Sequence, residues 1–518
     1  MSKDYDAIVI GSGLGGLTAG ALYSRTGARV LLLERNGSFG GAATTYRRGS
    51  LTIEASLHET THPVSVGGDP KREVFEALDL DTSVEFVSVG DFQEVRSVLL
   101  GEPFVLPHGL DAVEARLTER FPRERKGIRA FVRQIGRTLK FGEFAGPDHG
   151  LPWRMAHAGE LPLDLWAVAR DIRSSLSTVL KRYFGDNEAI KFAVAPNLPY
   201  YTDDPDTFWW LGYAVAQGGY LRGGGYYIKG GSQVLSNRLA EIIREEGGET
   251  LTQCPAVGIE LGTDGRVTGV RYRSLENGAE TTARAPLVFA NAAPQVIETL
   301  LPAPQRTEFM RPFRDRPLSI SLVSATIGLR MQPSSFGISS YSTMLIPGWM
   351  RKLSDFKQGT ALLAEPPGER LPALCVVDYN RIDSGLTDGE VFPLSVVCAD
   401  RLENWPETSI AAYKRRRDAW LEAIIARLDD EWPGIASAVV EKSIATARTM
   451  HEYLNTPGGA VYGFALRAPE HFPKGPPQTF ATSIEGLFLA SAYSGFGGFT
   501  GTMGGGAGAV RAALRARG

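Results

Sequence analysis

The stretch from residue 7 to residue 34 constrains the fold more than any other part of the sequence. An apolar run at residues 7–10 predicts a buried strand, and a glycine-rich segment, GSGLGG, follows it directly. Residues 17–26 then have helical character and end at a glycine, and a second apolar run closes on Glu34. The order is strand, glycine turn, helix, strand and acid.

Each of these residues has a physical reason to be there. Gly11 permits a tight turn, Gly13 permits close approach of a pyrophosphate, and Gly16 permits close packing of the helix on the strand. The helix N-terminus offers free N–H groups to phosphates. Glu34 suits the hydroxyls of a ribose and disfavours a 2′-phosphate. The segment therefore predicts a dinucleotide site, and not one for NADP.

Composition excludes several classes of protein. A chain of 518 residues with a net charge of −3 is an ordinary globular protein with no sign of a nucleic-acid partner. Its three cysteines are scattered, which favours a reducing compartment. The N-terminus does not have the pattern of a signal peptide, and no apolar run is long enough to span a bilayer. We expect a cytoplasmic protein, and the oligomeric state is left open.

Glycine and aromatic residues cluster away from the first segment. Glycines gather at residues 11–16, 218–231 and 495–508, and three such clusters are able to converge on one extended ligand. Aromatic residues are dense between positions 153 and 227, where they form a domain core, an apolar pocket or a surface for peripheral membrane contact. Residues 84–89 and 97–105 read as strands.

The segment from His58 to His62 matches the H-E-x-x-H pattern of zinc enzymes. That pattern binds zinc only on a helix, where both histidines share one face. Pro63 disfavours helical geometry at His62, and residues 51–58 alternate as a strand does. We therefore expect no metal here, although these polar groups remain candidates for a role beside the cofactor.

Five stretches together resemble the carotenoid desaturase, carotenoid isomerase and retinol saturase group of flavoproteins. They occupy residues 11–46, 218–243, 255–261, 287–296 and 484–510. The resemblance implies an α/β protein with a Rossmann-like, glutathione-reductase-like FAD-binding domain. That domain is discontinuous, made of residues 1–65, 223–300 and 480–518. Residues 66–222 and 301–479 form a substrate-binding domain of mixed sheet and helices.

The resemblance also implies which residues bind FAD. Those near the pyrophosphate, ribose, adenine and flavin are Gly11, Ser12, Gly13, Leu14, Gly15, Gly16, Glu34, Arg35, Gly40, Gly41, Ala42, Val257, Asn291, Phe499, Thr500 and Gly501. A helix N-terminus at Phe499 would stabilise an anionic reduced flavin. The Gly-Glu pair of amine oxidases is replaced here by Ser491-Ala492, which weakens an amine oxidase reading.

The implied activity is FAD-dependent chemistry on carbon–carbon bonds of a long, apolar polyene or isoprenoid substrate. Desaturation, saturation and isomerisation stay open, as do a fatty-acid double-bond isomerase and a non-catalytic lipid-binding escort. The candidate proton donors are His58, Glu59, Tyr226 and Tyr493. His58 is the first choice, with a structural, hydrogen-bonded histidine as the equal alternative.

Overall fold

A computed structural model describes residues 3–64, 69–145, 151–159, 161–387, 389–468 and 479–517. The strands are β1 Lys3–Asp4, β2 Ala7–Ile10, β3 Val30–Leu33, β4 Thr45–Arg48, β5 Leu51–Glu54, β6 Phe86–Ser88, β7 Gln93–Arg96, β8 Phe104–Leu106, β9 Tyr226–Ile228, β10 Glu249–Leu251, β11 Ala256–Leu261, β12 Val267–Arg273, β13 Glu280–Arg284, β14 Val288–Ala290, β15 Ser321–Leu329, β16 Ser342–Leu345, β17 Leu374–Asp378, β18 Phe392–Asp400, β19 Val439–Ala445 and β20 Leu487–Leu489.

The helices are α1 Leu14–Ser24, α2 Pro70–Leu78, α3 Leu110–Arg120, α4 Arg125–Ala145, α5 Leu151–His157, α6 Leu161–Asp171, α7 Leu176–Phe184, α8 Glu188–Val194, α9 Leu198–Tyr201, α10 Trp210–Gly223, α11 Ser232–Glu245, α12 Pro294–Leu300, α13 Ala303–Met310, α14 Asp355–Ala361, α15 Ile410–Glu431, α16 Ile435–Ala438, α17 Ala447–Leu454 and α18 Gly498–Arg517. Among the helices so described, none is both long and apolar enough to cross a membrane. Contact with a membrane surface stays a prediction.

A five-stranded parallel sheet organises the molecule, in the order β10-β3-β2-β14-β20. Its central strands are apolar throughout because both faces are buried: helices α1, α11 and α18 pack on one face, and strands β11, β12 and β13 of a second sheet pack on the other. Helices α1 and α18 pack against each other beside it. The sheet takes strands from the beginning, the middle and the end of the chain. The domain boundaries themselves stay a prediction.

A second, four-stranded sheet, β1-β13-β12-β11, lies next to it, and its strands β11 and β12 form a hairpin that turns at Asp264-Gly265. Gly265 has φ +80°, a left-handed conformation that glycine adopts without strain. The largest sheet has seven strands in the order β19-β15-β18-β17-β16-β7-β8.

The strand predicted at residues 97–105 is wrong for residues 97–103, and only residues 104 and 105 belong to a strand, β8. The chain instead turns between β7 and β8, where the Leu100 N–H donates to Ser97 O at 3.0 Å and Gly101 has φ +74°. The two strands pair antiparallel across this turn. The apolar residues around the turn, among them buried Leu100, mimic a strand pattern although they pack as a loop.

Candidate functional site

The glycine turn after β2 forms a concave backbone surface, the cradle, which leaves no room for side chains at Gly11 and Gly13. Gly11 has φ +92°, and a Cβ there would lie 2.6 Å from the Asn291 carbonyl oxygen. A Cβ on Gly13 would lie 2.6 Å from Asn291 Nδ2. Gly13 also begins helix α1 without a side-chain cap, so the first N–H groups of the helix are free to bind an anion. These features fit the pyrophosphate of a dinucleotide.

Gly15 and Gly16 serve the packing of α1. A Cβ on Gly16 would lie 2.2 Å from Gly11 O, and one on Gly15 would lie 2.2 Å from Ala490 O. Both residues lie outside the cavity wall described below. Their absent side chains let α1 approach the carboxyl ends of β2 and β20.

Glu34 is held firmly at the end of β3. Its Oε2 accepts hydrogen bonds from Ser12 N at 2.9 Å and Ser12 Oγ at 2.6 Å, and its Oε1 accepts one from Asn36 N at 2.7 Å. Arg35 Nη2 donates to Glu452 O at 2.6 Å, at the carbonyl end of α17. The acid and its neighbour therefore join the glycine turn to a segment more than 400 residues later.

The glycine pair after β3 returns to the first turn. A backbone bridge joins Gly40 to Gly13, and a Cβ on Gly41 would lie 3.2 Å from the Gly13 Cα. Gly40 and Gly41 have φ +118° and +60°. Only glycines allow these two backbone segments to run so closely together.

One cavity of about 720 Å³ joins the cradle to an apolar pocket. The predicted cofactor residues that line it are Gly11, Ser12, Gly13, Leu14, Glu34, Arg35, Gly40, Gly41, Ala42, Asn291, Phe499, Thr500 and Gly501. Val257 lies outside its wall, whereas its neighbour Ala256 lines it. Residues 499–501 belong to the first turn of α18, whose N-terminus faces this space.

The far part of the cavity is aromatic. Its walls include Tyr200, Tyr201, Phe208, Tyr220, Tyr341 and Phe464. Other members of the predicted aromatic group, Trp210, Tyr213 and Tyr227, are core residues, and Trp166 on α6 is 56% exposed. The group is thus divided between core, pocket and surface. Mostly apolar walls with few polar groups are typical of a site for an apolar ligand.

His58 is a buried residue of the cavity wall. Its Nε2 lies 3.2 Å from Ser395 Oγ, and its carbonyl accepts a hydrogen bond from the Tyr341 hydroxyl. Its ring lies against those of Tyr200 and Tyr379. Burial lowers the pKa of His58 to about 4, so the imidazole is neutral at physiological pH.

Glu59 lines the same cavity. Its Oε1 accepts a 3.4 Å hydrogen bond from Asn197 Nδ2, and its Oε2 is buried without a hydrogen-bond partner in the described part of the chain. Burial raises the pKa of Glu59 to about 8. The carboxyl therefore holds its proton at neutral pH.

The two tyrosine candidates are placed differently. Tyr493 lines the cavity, with its ring 5.1 Å from that of Phe464, and burial raises the pKa of its phenol. Tyr226 lies outside the cavity wall, where its backbone pairs with Thr60 and its ring lies 5.1 Å from that of His62. The structure thus brings His58, Glu59 and Tyr493 to one space and leaves Tyr226 apart.

The H-E-x-x-H segment is an extended loop in which no helix forms. His62 packs against Phe86 and Tyr226 instead of sharing a face with His58. Across the described residues no cluster of three His, Cys, Asp or Glu side chains is arranged to hold a metal ion.

Several residues of the site have no signal in the sequence. Asn197, Tyr341 and Ser395 contact His58 or Glu59 from distant segments, and none belongs to a motif. Lys71, fully buried, donates to Thr60 Oγ1 at 2.7 Å and lies 3.5 Å from Asp69. A lysine beside Pro70 in a polar helix start reads from sequence as a surface residue.

Comparison with known proteins agrees with this geometry. Residues 9–75 match the model of an NAD(P)-binding Rossmann-like domain. The chain is 25% identical to prolycopene isomerase of Daucus carota, over 94% of this chain and 76% of that protein. It is 23% identical to all-trans-retinol 13,14-reductase of Danio rerio, over 89% and 78%. It is 25% identical to the neurosporene-forming phytoene desaturase of Rhodobacter capsulatus, over 95% and 91%.

Solved structures share the fold at low identity. An oxidoreductase from Methanosarcina mazei superposes with a TM-score of 0.61 at 14% identity, covering 98% of this chain and 99% of that one. Putrescine oxidase bound to putrescine gives a TM-score of 0.62 at 12% identity, covering all of both chains. This likeness is one of architecture alone. Along nearly its whole length the chain is therefore similar to enzymes of the carotenoid desaturase, carotenoid isomerase and retinol saturase group.

Proposed function

We propose that this protein is an FAD-dependent enzyme that desaturates, saturates or isomerises carbon–carbon bonds of a long apolar polyene. The observation that carries the proposal is the single cavity that joins the glycine cradle to the aromatic pocket. An apolar chain in that pocket would lie end to end with a dinucleotide held at the cradle. The curated relatives are named for carotenoid and retinoid substrates, which supports the same substrate class.

The proposed cofactor supplies hydride chemistry when bound. The chain's own residues do the rest. The free N–H groups at the start of α1 would bind the pyrophosphate, and Glu34 would bind the ribose. The N–H groups at the start of α18 would lie near the flavin. The aromatic walls orient the substrate and exclude water.

The first experiment is a visible spectrum of the purified protein. We expect a flavin spectrum with close to one flavin per chain, before or after reconstitution with FAD. A colourless protein that cannot be reconstituted would favour the escort alternative and contradict the enzyme.

The second experiment distinguishes the reactions. Oxidised and reduced protein are incubated anaerobically with a panel of polyenes and unsaturated fatty acids, and the products are identified. Product from oxidised protein alone indicates desaturation, and loss of a double bond with reduced protein indicates saturation. Rearranged product from reduced protein without net reduction indicates isomerisation. Turnover of the fatty acids alone would favour the fatty-acid isomerase.

A further inference from the structure

We propose that Glu59 is the acid that delivers a proton to a substrate carbon, and that Asn197 positions its carboxyl. This inference rests on the proposed function and deepens it. Because Glu59 adds a proton to the polyene in this proposal, the reaction is saturation or isomerisation.

The Asn197 side chain binds Glu59 instead of capping the helix that follows it. It stands at the N-cap of α9, where an asparagine side chain normally accepts a hydrogen bond from the first turn of the helix. Here the side chain makes no capping bond, and its Nδ2 donates to Glu59 Oε1 at 3.4 Å instead. Asn197 Oδ1 stays buried without a partner in the described chain. The Asn197 amide therefore binds the Glu59 carboxyl and does not cap α9.

Gly225 makes room for the other carboxyl oxygen. A Cβ on Gly225 would lie 2.6 Å from Glu59 Oε2 and 2.8 Å from Val89. The φ of Gly225 is not among the positive values found for glycines of this chain, so its conformation does not demand glycine. Space for the Glu59 carboxyl is the physical reason for a glycine at this position.

The surroundings of Glu59 keep it uncharged. The hydrogen bond from Asn197 favours the ionised form, but burial outweighs it and raises the pKa to about 8. Its ionisable neighbours are neutral as well. Burial raises the pKa of Tyr200, Tyr201, Tyr220, Tyr341 and Cys375, and it lowers the pKa of His58 to about 4. Among these groups, Glu59 is therefore the one whose pKa lies nearest to neutral pH.

Saturation needs one co-reactant, a hydride donor, and the reduced cofactor would supply the hydride when bound. In saturation the π bond of a C=C breaks, the hydride and its electron pair form one C–H bond, and the Glu59 proton forms the other on the adjacent carbon. The substrate gains two electrons and the donor loses two. In isomerisation Glu59 gives a proton to one carbon and another C–H proton is lost to its carboxylate, with no net redox change. After saturation, water reprotonates the carboxylate.

The test compares wild type with Glu59→Gln, which keeps the size of the side chain and an acceptor for Asn197. Both are prepared with bound flavin and assayed in D2O with the polyene that wild type converts. We expect the wild-type product to carry solvent deuterium. We expect the turnover of the wild-type enzyme to decline above about pH 8. In Glu59→Gln we expect an unchanged flavin spectrum, turnover reduced about 100-fold or more, and no decline at alkaline pH.

Asn197→Ala tests positioning separately. Losing the hydrogen bond that favours the ionised carboxyl raises its pKa further, so the alkaline decline moves to higher pH while some turnover remains. Glu143→Gln is the matched control, because Glu143 is a buried carboxyl on α4 that pairs with Arg222. It should leave the deuterium content and the pH profile unchanged.

Turnover of Glu59→Gln within about threefold of wild type would overturn the assignment, and so would wild-type product without solvent deuterium. A wild-type protein that acts only when oxidised, removing hydrogen from its substrate, would also overturn it. Failure of the proposed function gives a different result, because wild type then binds no flavin or converts no polyene. The role of Glu59 is rejected in that case as well.

Discussion

Ser12 and Glu34 are joined by two hydrogen bonds to one oxygen: the Ser12 N–H and its hydroxyl donate to Glu34 Oε2 at 2.9 and 2.6 Å. The acid at the end of β3 therefore holds the glycine turn after β2 in place. It also faces the cavity at the point where the ribose of a bound dinucleotide is proposed to lie.

Replacing Glu34 by alanine should weaken flavin binding. Hydrogen bonds to a charged group contribute about 1.5–3 kcal/mol, which corresponds to roughly 10- to 100-fold in affinity. Titration of apoprotein with FAD, followed by flavin fluorescence, measures the effect. Ser12→Ala keeps the hydrogen bond from the backbone N–H to Glu34 and should lose less affinity for FAD. Equal affinity in Glu34→Ala and wild type would contradict the role of this acid.

Gly506→Ala should destabilise the fold, because its Cβ would lie 2.3 Å from Gly15 O, where α18 crosses α1. Overpacking of this kind costs about 1–3 kcal/mol. Urea unfolding measures the loss. Gly142→Ala is the matched control, since Gly142 lies in α4 and no atom of the described residues lies within 4 Å of the added Cβ. That variant should gain up to about 1 kcal/mol from helix propensity.

Truncation before Leu487 should abolish flavin binding even though the glycine turn remains. It removes β20, which pairs with β14 through Leu487, Phe488 and Leu489, and it removes α18. Absorbance of the purified fragment and its reconstitution with FAD measure binding. Retained flavin would show that the C-terminal segment is not part of the cofactor site.

His58→Ala should keep its flavin and lose most of its turnover, because the His58 ring lines the cavity and orders Ser395 beside it. Steady-state turnover at saturating substrate, with flavin content determined for each preparation, measures this. Unchanged turnover would remove His58 from the mechanism and leave it as a structural histidine.

The low pKa of His58 also predicts how stability depends on pH. Its folded pKa, about 4, lies below the ordinary value of 6.5, so the unfolded chain takes up the proton first. The contribution of His58 to stability is complete above pH 6.5 and is lost as the pH falls toward 4. The difference in unfolding free energy between wild type and His58→Gln should therefore shrink over this interval. A constant difference in urea unfolding would contradict it.

The strand predicted at residues 97–105 and the residues around Glu59 show where prediction from sequence ends. The apolar run Val98-Leu99-Leu100 fits a strand and a packed turn equally well. The Glu59–Asn197 contact joins positions 138 residues apart, and the Tyr341–His58 contact joins positions 283 apart. Neither has a local pattern, because which segments meet depends on the packing of sheets and helices.

The sequence by itself determined the first strand, glycine turn, helix and acid, and it predicted the class of ligand. The reason is that a tight turn, a free helix N-terminus and a close approach of backbone are local properties of residues 7–34. Only the tertiary structure decided that Glu59 faces an asparagine and a glycine in an apolar cavity, where burial keeps its proton in place. The desolvation that sets its chemistry comes from atoms supplied by distant segments.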